Sequence, residues 1–189
     1  DIGHVWNITG ALNSGYPYLS WSVRAKTYFV DDTATGANNG SSWTDAFTSL
    51  QSALEIAAYA DRIWVAKGIY KPSKEDDGTA DEPRMFTFQM KQGVGIYGGF
   101  EGNEDPAAFD LHNRDFSVNE TVLSGDLSGN DEFDINSWDG YLNNSGDDNC
   151  YHVFFNTDTA LNSSAVLDGF TISGGFANGG FPGGQGAGM

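Results

Sequence analysis

The sequence predicts a mainly β fold assembled from short strands, with one helix near the beginning of the chain. Short runs rich in β-branched and aromatic residues recur along it, with Gly, Asn and Asp placed around them. The runs are residues 26–30, 63–66, 93–100, 120–125, 151–155 and 165–172. No helical pattern separates the last five, which disfavours βαβ winding. Two architectures remain open: an antiparallel sandwich, or a solenoid in which each short strand stacks on its predecessor.

The first 25 residues differ from the rest because aromatic residues are concentrated there. Trp6, Trp21 and the run YPYL at residues 16–19 surround a turn at residues 13–15. This stretch resembles the closing segment of a GLUG-type repeat, in which a GYPYL-W ending is common. The same residues also suit a β-strand arm that buries its aromatic side chains against the following domain. We therefore expect residues 1–25 to form an arm or the end of a preceding repeat.

One helix is predicted, over about residues 45–59. Thr44 can cap its N-terminus, and Phe47, Leu50 and Leu54 recur at helical spacing. A single apolar face on an isolated helix has to cover another element, so we expect this helix to shield the end of the β structure.

Six sequence blocks occur in a particular order, and that order identifies a protein family more specifically than any single block does. The blocks are YFVDDTATGANNGSSWTDAFTSLQSAL (28–54), DRIWVAKGIYKPS (61–73), VGIYGGFEGNE (94–104), NETVLSGDLSGND (119–131), DDNCYHVFF (147–155) and AVLDGFTISGGFANG (165–179). Over about residues 27–189, this order resembles the opening of bacterial right-handed parallel β-helix surface proteins. These are the polymorphic outer-membrane-protein type and the proteins with choice-of-anchor sorting domains.

The resemblance implies a mainly β, right-handed parallel β-helix (a solenoid) with an N-terminal capping helix. Residues 26–60 would be the cap, because a solenoid end exposes its core and an unpaired edge. Residues 61–189 would be the first coils. Because residues 183–189 lie within a glycine-rich turn, we expect further coils to follow.

The charge of the chain excludes some partners. Its 26 acidic and 9 basic residues give a net charge of −17, so the basic footprint needed for nucleic acid is missing. Docking onto anionic membranes is disfavoured for the same reason, and no long apolar run predicts membrane insertion. The single cysteine, Cys150, has no partner for an internal disulfide.

One acidic segment is a candidate Ca²⁺ site. Its oxygen-bearing side chains are Asp126, Ser128, Asn130, Asp131 and Asp134. Such alternating oxygen donors can converge on a hard cation. The segment lacks the Gly and Glu of an EF-hand loop, and the alternative is an acidic turn whose side chains cap backbone N–H groups.

Enzymatic chemistry is less well supported than binding. A polysaccharide lyase would need Ca²⁺-binding carboxylates beside a basic residue, and a glycoside hydrolase would need two flanking carboxylates. The pairs Arg62–Asp61 and Arg114–Asp115 are more simply read as surface ion pairs, which contribute little. We therefore assign no catalytic residue.

The sequence predicts an exported structural or adhesive protein, located at the cell surface or in the extracellular matrix. Glycans and other surface proteins are the expected partners. A filament component that self-associates through residues 1–25 is a second possibility, since a strand arm can add to the sheet edge of another chain. The alternative from a different class is a carbohydrate-active enzyme, a polysaccharide lyase, with its active site in later coils.

Overall fold

The computed structural model describes residues 6–7, 18–19, 25–78, 80–132, 142–157 and 161–179. The strands are β1 (Trp6–Asn7), β2 (Tyr18–Leu19), β3 (Thr27–Val30), β4 (Arg62–Ala66), β5 (Gly68–Tyr70), β6 (Gly95–Phe100), β7 (Thr121–Ser124), β8 (Val166–Asp168) and β9 (Thr171–Ser173). The α-helix is α1 (Leu50–Ile56), and 3₁₀ turns cover Pro83–Met85, Leu111–Asn113 and Leu142–Asp148.

Two parallel sheets form the framework. The first has four strands in the order β3-β4-β6-β8, and the second has three strands in the order β5-β7-β9. β1 and β2 pair separately in antiparallel orientation. The chain leaves the first sheet and enters the second within two residues, because only Lys67 separates β4 from β5. Gly68 permits this bend, since its φ of +146° is a conformation that side-chain-bearing residues rarely adopt.

The predicted mainly β, right-handed parallel β-helix with a capping helix is wrong. The described residues form two small parallel sheets of four and three strands, and they show no solenoid stacking. The physical reason lies in the connections: residues 71–94 and 101–120 are long irregular segments with short 3₁₀ turns. The sequence marked strand-forming runs, but run composition carries no information about which runs pair. The proposed division at residues 25 and 60 stays a prediction.

The predicted helix is shorter than expected and begins later. It covers Leu50–Ile56, and Ser49 caps it by accepting a hydrogen bond from the backbone N–H of Gln51 at 3.2 Å. Phe47 is not helical because its backbone pairs with Val30 at the end of β3. Pairing with β3 therefore removes Phe47 from the first turn that the helical spacing predicted.

The main core lies between α1 and the inner faces of the two sheets. Leu50 and Leu54 of the helix are 1% and 3% exposed, and they join a cluster that includes Ile63, Ile96 and Leu123. Each fully buried aliphatic side chain of this kind contributes about 1.5–3 kcal/mol. The helix thus packs one apolar face against β3 and β4 of the first sheet.

A second cluster, made of aromatic rings, lies on the other face of β4. Successive strand residues point to opposite faces, so Trp64 faces away from Ile63 and Val65. Its ring stacks on Phe100 with centroids 4.5 Å apart and meets Phe29 edge-on at 6.1 Å. Trp64 is buried, with 2% of it exposed. The cluster anchors residues 101–120 beside the first sheet through Phe109 and Leu111.

Within the described part of the chain, none of the helices combines the length and apolar character needed to cross a membrane.

Candidate functional site

Acidic side chains order the long loops by accepting hydrogen bonds from backbone N–H groups. Glu104 accepts from the N–H groups of residues 101–103 at 2.7–3.1 Å. Asp61, which is 4% exposed, accepts from Lys26 and Ala58 at 2.9 Å each. Hydrogen bonds to an ionised acceptor are stronger than neutral ones, so each of these carboxylates fixes a turn.

The predicted calcium segment begins with such a turn. Asp126 accepts from the backbone N–H of Gly129 at 2.6 Å, and from those of Asn130 and Asp131 at 3.2 Å each. Ser128 and Asn130 are exposed. Asp126 therefore uses both carboxylate oxygens to close its own loop. This is the behaviour of an acidic turn that caps backbone N–H groups, the alternative to a Ca²⁺ site.

Asp131 lies beside Asn149, a fully buried residue whose Nδ2 donates to Oδ2 of Asp131 at 2.9 Å. Burial raises the pKa of Asp131, and the nearby carboxylates of Asp126 and Asp148 add to the rise, while the bond from Asn149 opposes it. Asp134 lies outside the described residues. Within those residues, no group of three or more His, Cys, Asp or Glu could hold a metal ion. The calcium site stays a prediction.

Cys150 is fully buried, and its Sγ donates to the carbonyl of His152 at 3.4 Å. Burial raises the pKa of its thiol to about 12. A thiol with so little thiolate is a packing residue.

The two ion pairs predicted between sequence neighbours do not form. Asp61 binds backbone N–H groups, as described above, and Arg62 is exposed. Asp115 accepts from the N–H and the hydroxyl of Ser117 at 3.0 and 2.6 Å. Arg114 pairs instead with Asp168, at 2.6 Å between Nη2 and Oδ2. In each case the carboxylate accepts hydrogen bonds from its own turn. The neighbouring arginine then pairs with another residue or faces solvent.

Arg114 connects residues 101–120 to the first sheet. Its side chain is only 5% exposed. Nε donates to the carbonyl of Leu111 at 2.8 Å, and Nη1 donates to that of Gly98 at 2.9 Å. The guanidinium carbon lies 5.0 Å from the ring centroid of Phe116. The planar guanidinium presents its N–H donors in a fixed geometry. It therefore suits Arg114 to hold three segments together: the loop, β6 and β8.

Phe116 is the aromatic residue that this connection positions, and sequence reasoning missed it. Its ring lies over Gly99 and Gly169, whose φ values are +89° and +85°. A Cβ atom at either glycine would come within 2.6 or 2.7 Å of the ring. Yet 49% of Phe116 is exposed. The only sequence signal was the glycine at each position, and both glycines lie within predicted strand runs.

A groove of about 320 Å³ opens beside Phe116. Phe170 forms a second aromatic part of its wall, and Glu120, Asp168 and Thr171 supply polar atoms. The Thr171 hydroxyl donates to Oε1 of Glu120 at 3.0 Å. From the described residues, neither Oε2 of Glu120 nor Oδ1 of Asp168 receives a hydrogen bond. The groove thus combines a fixed, half-exposed ring with unused acceptor oxygens.

Comparisons with family models, with curated proteins and with solved structures found no match to this chain. Function therefore has to be argued from the site itself.

Proposed function

We propose that this protein is an exported, non-catalytic binding protein of the cell surface or extracellular matrix, which presents ordered loops to glycans or other surface proteins. The order of its sequence blocks over residues 28–179, which resembles that of bacterial surface proteins, supports the location. The net charge of −17 favours solubility and argues against nucleic acid as a partner.

The observation that carries the proposal is the way the loops are fixed. Glu104, Asp115 and Asp126 each close a turn by binding backbone N–H groups, and Arg114 attaches one long loop to the first sheet. Loops that are ordered before binding lose less conformational entropy when a partner arrives. A rigid scaffold that carries pre-ordered loops is the usual arrangement of a recognition surface.

The deciding experiment measures binding and cleavage together. The protein is incubated with a panel of neutral and acidic polysaccharides, with calcium and with a chelator. We expect retention on at least one polysaccharide and no release of shorter chains or unsaturated ends. Calcium-dependent cleavage would refute the proposal and would favour the polysaccharide lyase.

A further inference from the structure

We propose that the groove beside Phe116 is a binding site for a sugar ring of a neutral glycan, with Phe116 as the stacking platform and Glu120 and Asp168 as hydrogen-bond acceptors. The inference rests on the proposed function and names the site and the ligand class.

Contacts with neighbouring residues hold the Phe116 ring in a fixed position. Phe116 is 49% exposed although several contacts hold it in place, so part of its ring stays accessible to a ligand. Two glycines with positive φ leave room for one side of the ring, and Arg114 stands 5.0 Å from its centroid. A rigid aromatic side chain with one accessible side offers apolar contact area at little entropic cost. The apolar C–H side of a sugar ring matches that area.

The polar atoms of the groove select for a ligand rich in donors. Oε2 of Glu120 and Oδ1 of Asp168 are acceptors that receive no hydrogen bond from the described residues. An ionised carboxylate only accepts hydrogen bonds, so it pairs well with hydroxyl groups. A groove of about 320 Å³ lies at the lower end of the range for small-ligand sites, which suits one or two sugar rings.

Charge decides between classes of glycan. The chain carries −17, and Glu120 and Asp168 place carboxylates in the groove itself, so uronic acids and sulfated sugars are repelled. A cationic ligand gains little from the Phe116 ring, because the Arg114 guanidinium already lies close to it. Neutral hydroxylated sugars meet no repulsion from the two carboxylates and can stack on the ring.

The test is a calorimetric titration of the whole chain with neutral hexasaccharides based on glucose, xylose, mannose and N-acetylglucosamine, beside a galacturonate oligomer. We expect at least one neutral oligosaccharide to bind and the galacturonate oligomer not to bind. Phe116→Ala should weaken that binding by about tenfold or more, while Phe116→Tyr, which keeps the ring, retains it. Glu120→Gln should weaken it by about threefold, because the amide keeps only one acceptor oxygen.

Val118→Ala is the matched control, because Val118 is 66% exposed in the same segment and does not line the groove. Thermal unfolding of each variant establishes that it is folded. Equal affinity of the wild type and Phe116→Ala for a bound glycan would overturn the site while leaving the proposed function intact. Failure of every neutral oligosaccharide to bind would overturn the ligand class. Cleavage of the oligosaccharide would overturn the proposed function instead.

Discussion

At the scale of single residues, the groove depends on glycines that leave room for Phe116. Gly169 has a φ of +85°, and an added Cβ would lie 2.7 Å from the Phe116 ring and 2.8 Å from the carbonyl oxygen of Gly98. The substitution therefore meets two separate penalties, one from the backbone conformation and one from the crowded contacts.

Gly169→Ala is expected to lower the free energy of unfolding by about 2–4 kcal/mol, of which about 1 kcal/mol is backbone strain and the rest is overpacking. Gly78→Ala is the matched control: Gly78 has the same φ of +85°, and its added Cβ would meet nothing within 4 Å. Urea unfolding of both variants separates the backbone strain from the crowded contacts at Gly169, which are with the Phe116 ring and the Gly98 carbonyl oxygen. Equal destabilisation by the two substitutions would show that the ring does not press on Gly169 in solution.

The sequence identified Arg114 as a notable cation but gave it the wrong partner. Local spacing pointed to Asp115, the next residue, whereas the observed partner Asp168 follows 54 positions later. A carboxylate in a turn accepts hydrogen bonds from nearby backbone N–H groups. Adjacency in sequence is therefore a poor guide to which arginine it pairs with. Phe116 was missed for a related reason: it lies in a segment without periodicity, and only the fold brings Gly99 and Gly169 to it.

At the scale of elements, the C-terminus of α1 is held by a lysine from another segment. Nζ of Lys91 donates to the carbonyls of Leu54, Glu55 and Ala57 at 2.8, 3.3 and 2.7 Å. These carbonyls are at the end of the helix, where unsatisfied acceptors and the negative end of the dipole both favour a cation. A helix of seven residues depends on such support.

Lys91→Met, which keeps the length of the side chain, is therefore expected to cost about 1–2 kcal/mol. Lys74→Met is the control, because Lys74 pairs with Glu55 in a half-exposed ion pair that contributes at most about 1 kcal/mol. Hydrogen exchange should show faster opening of the backbone amides at the end of α1 in Lys91→Met only. Unchanged exchange there would mean that packing against the sheets alone holds the helix.

Strand prediction from composition succeeded where runs were long enough to carry a pattern. The predicted runs at residues 26–30, 63–66, 93–100 and 120–125 correspond to β3, β4, β6 and β7. The run at 165–172 is divided into β8 and β9, since Gly169 turns the chain between them with a φ of +85°. Among the described residues, the run at 151–155 makes one bridge, between Phe154 and Phe88. β5 was missed because three residues are too few to show alternation.

At the scale of the whole molecule, the sequence gives the net charge directly, but the fold class predicted from it was wrong. Net charge is a sum over residues and needs no knowledge of contacts, so its consequences follow directly. Fold class depends on which strands pair, and two sheets of four and three strands replaced the expected β-helix because pairing is decided by contacts distant in sequence. The charge therefore supports a prediction about the complete chain.

Sodium chloride is expected to stabilise the protein. A net charge of −17 repels itself more strongly in the compact state than in the unfolded chain, and salt screens that repulsion. Within the described part of the chain, the ion pairs Arg114–Asp168 and Lys74–Glu55 work in the opposite direction, but they are too few to offset that repulsion. Raising the salt from about 0.02 to 0.5 M should raise Tm by roughly 3 °C or more. A fall in Tm would show that these pairs outweigh the net repulsion.

Calcium chloride and magnesium chloride at matched ionic strength separate screening from specific binding. Screening alone raises Tm equally in both salts, because the two cations carry the same charge. A bound ion adds a stabilisation that grows with its concentration relative to Kd. If the predicted site around Asp126 and Asp131 exists, calcium should raise Tm beyond magnesium, and Asp131→Asn should remove that excess. Equal effects of the two salts would assign the carboxylates of this segment to closing its turn, which is the role that Asp126 already has through three backbone N–H groups.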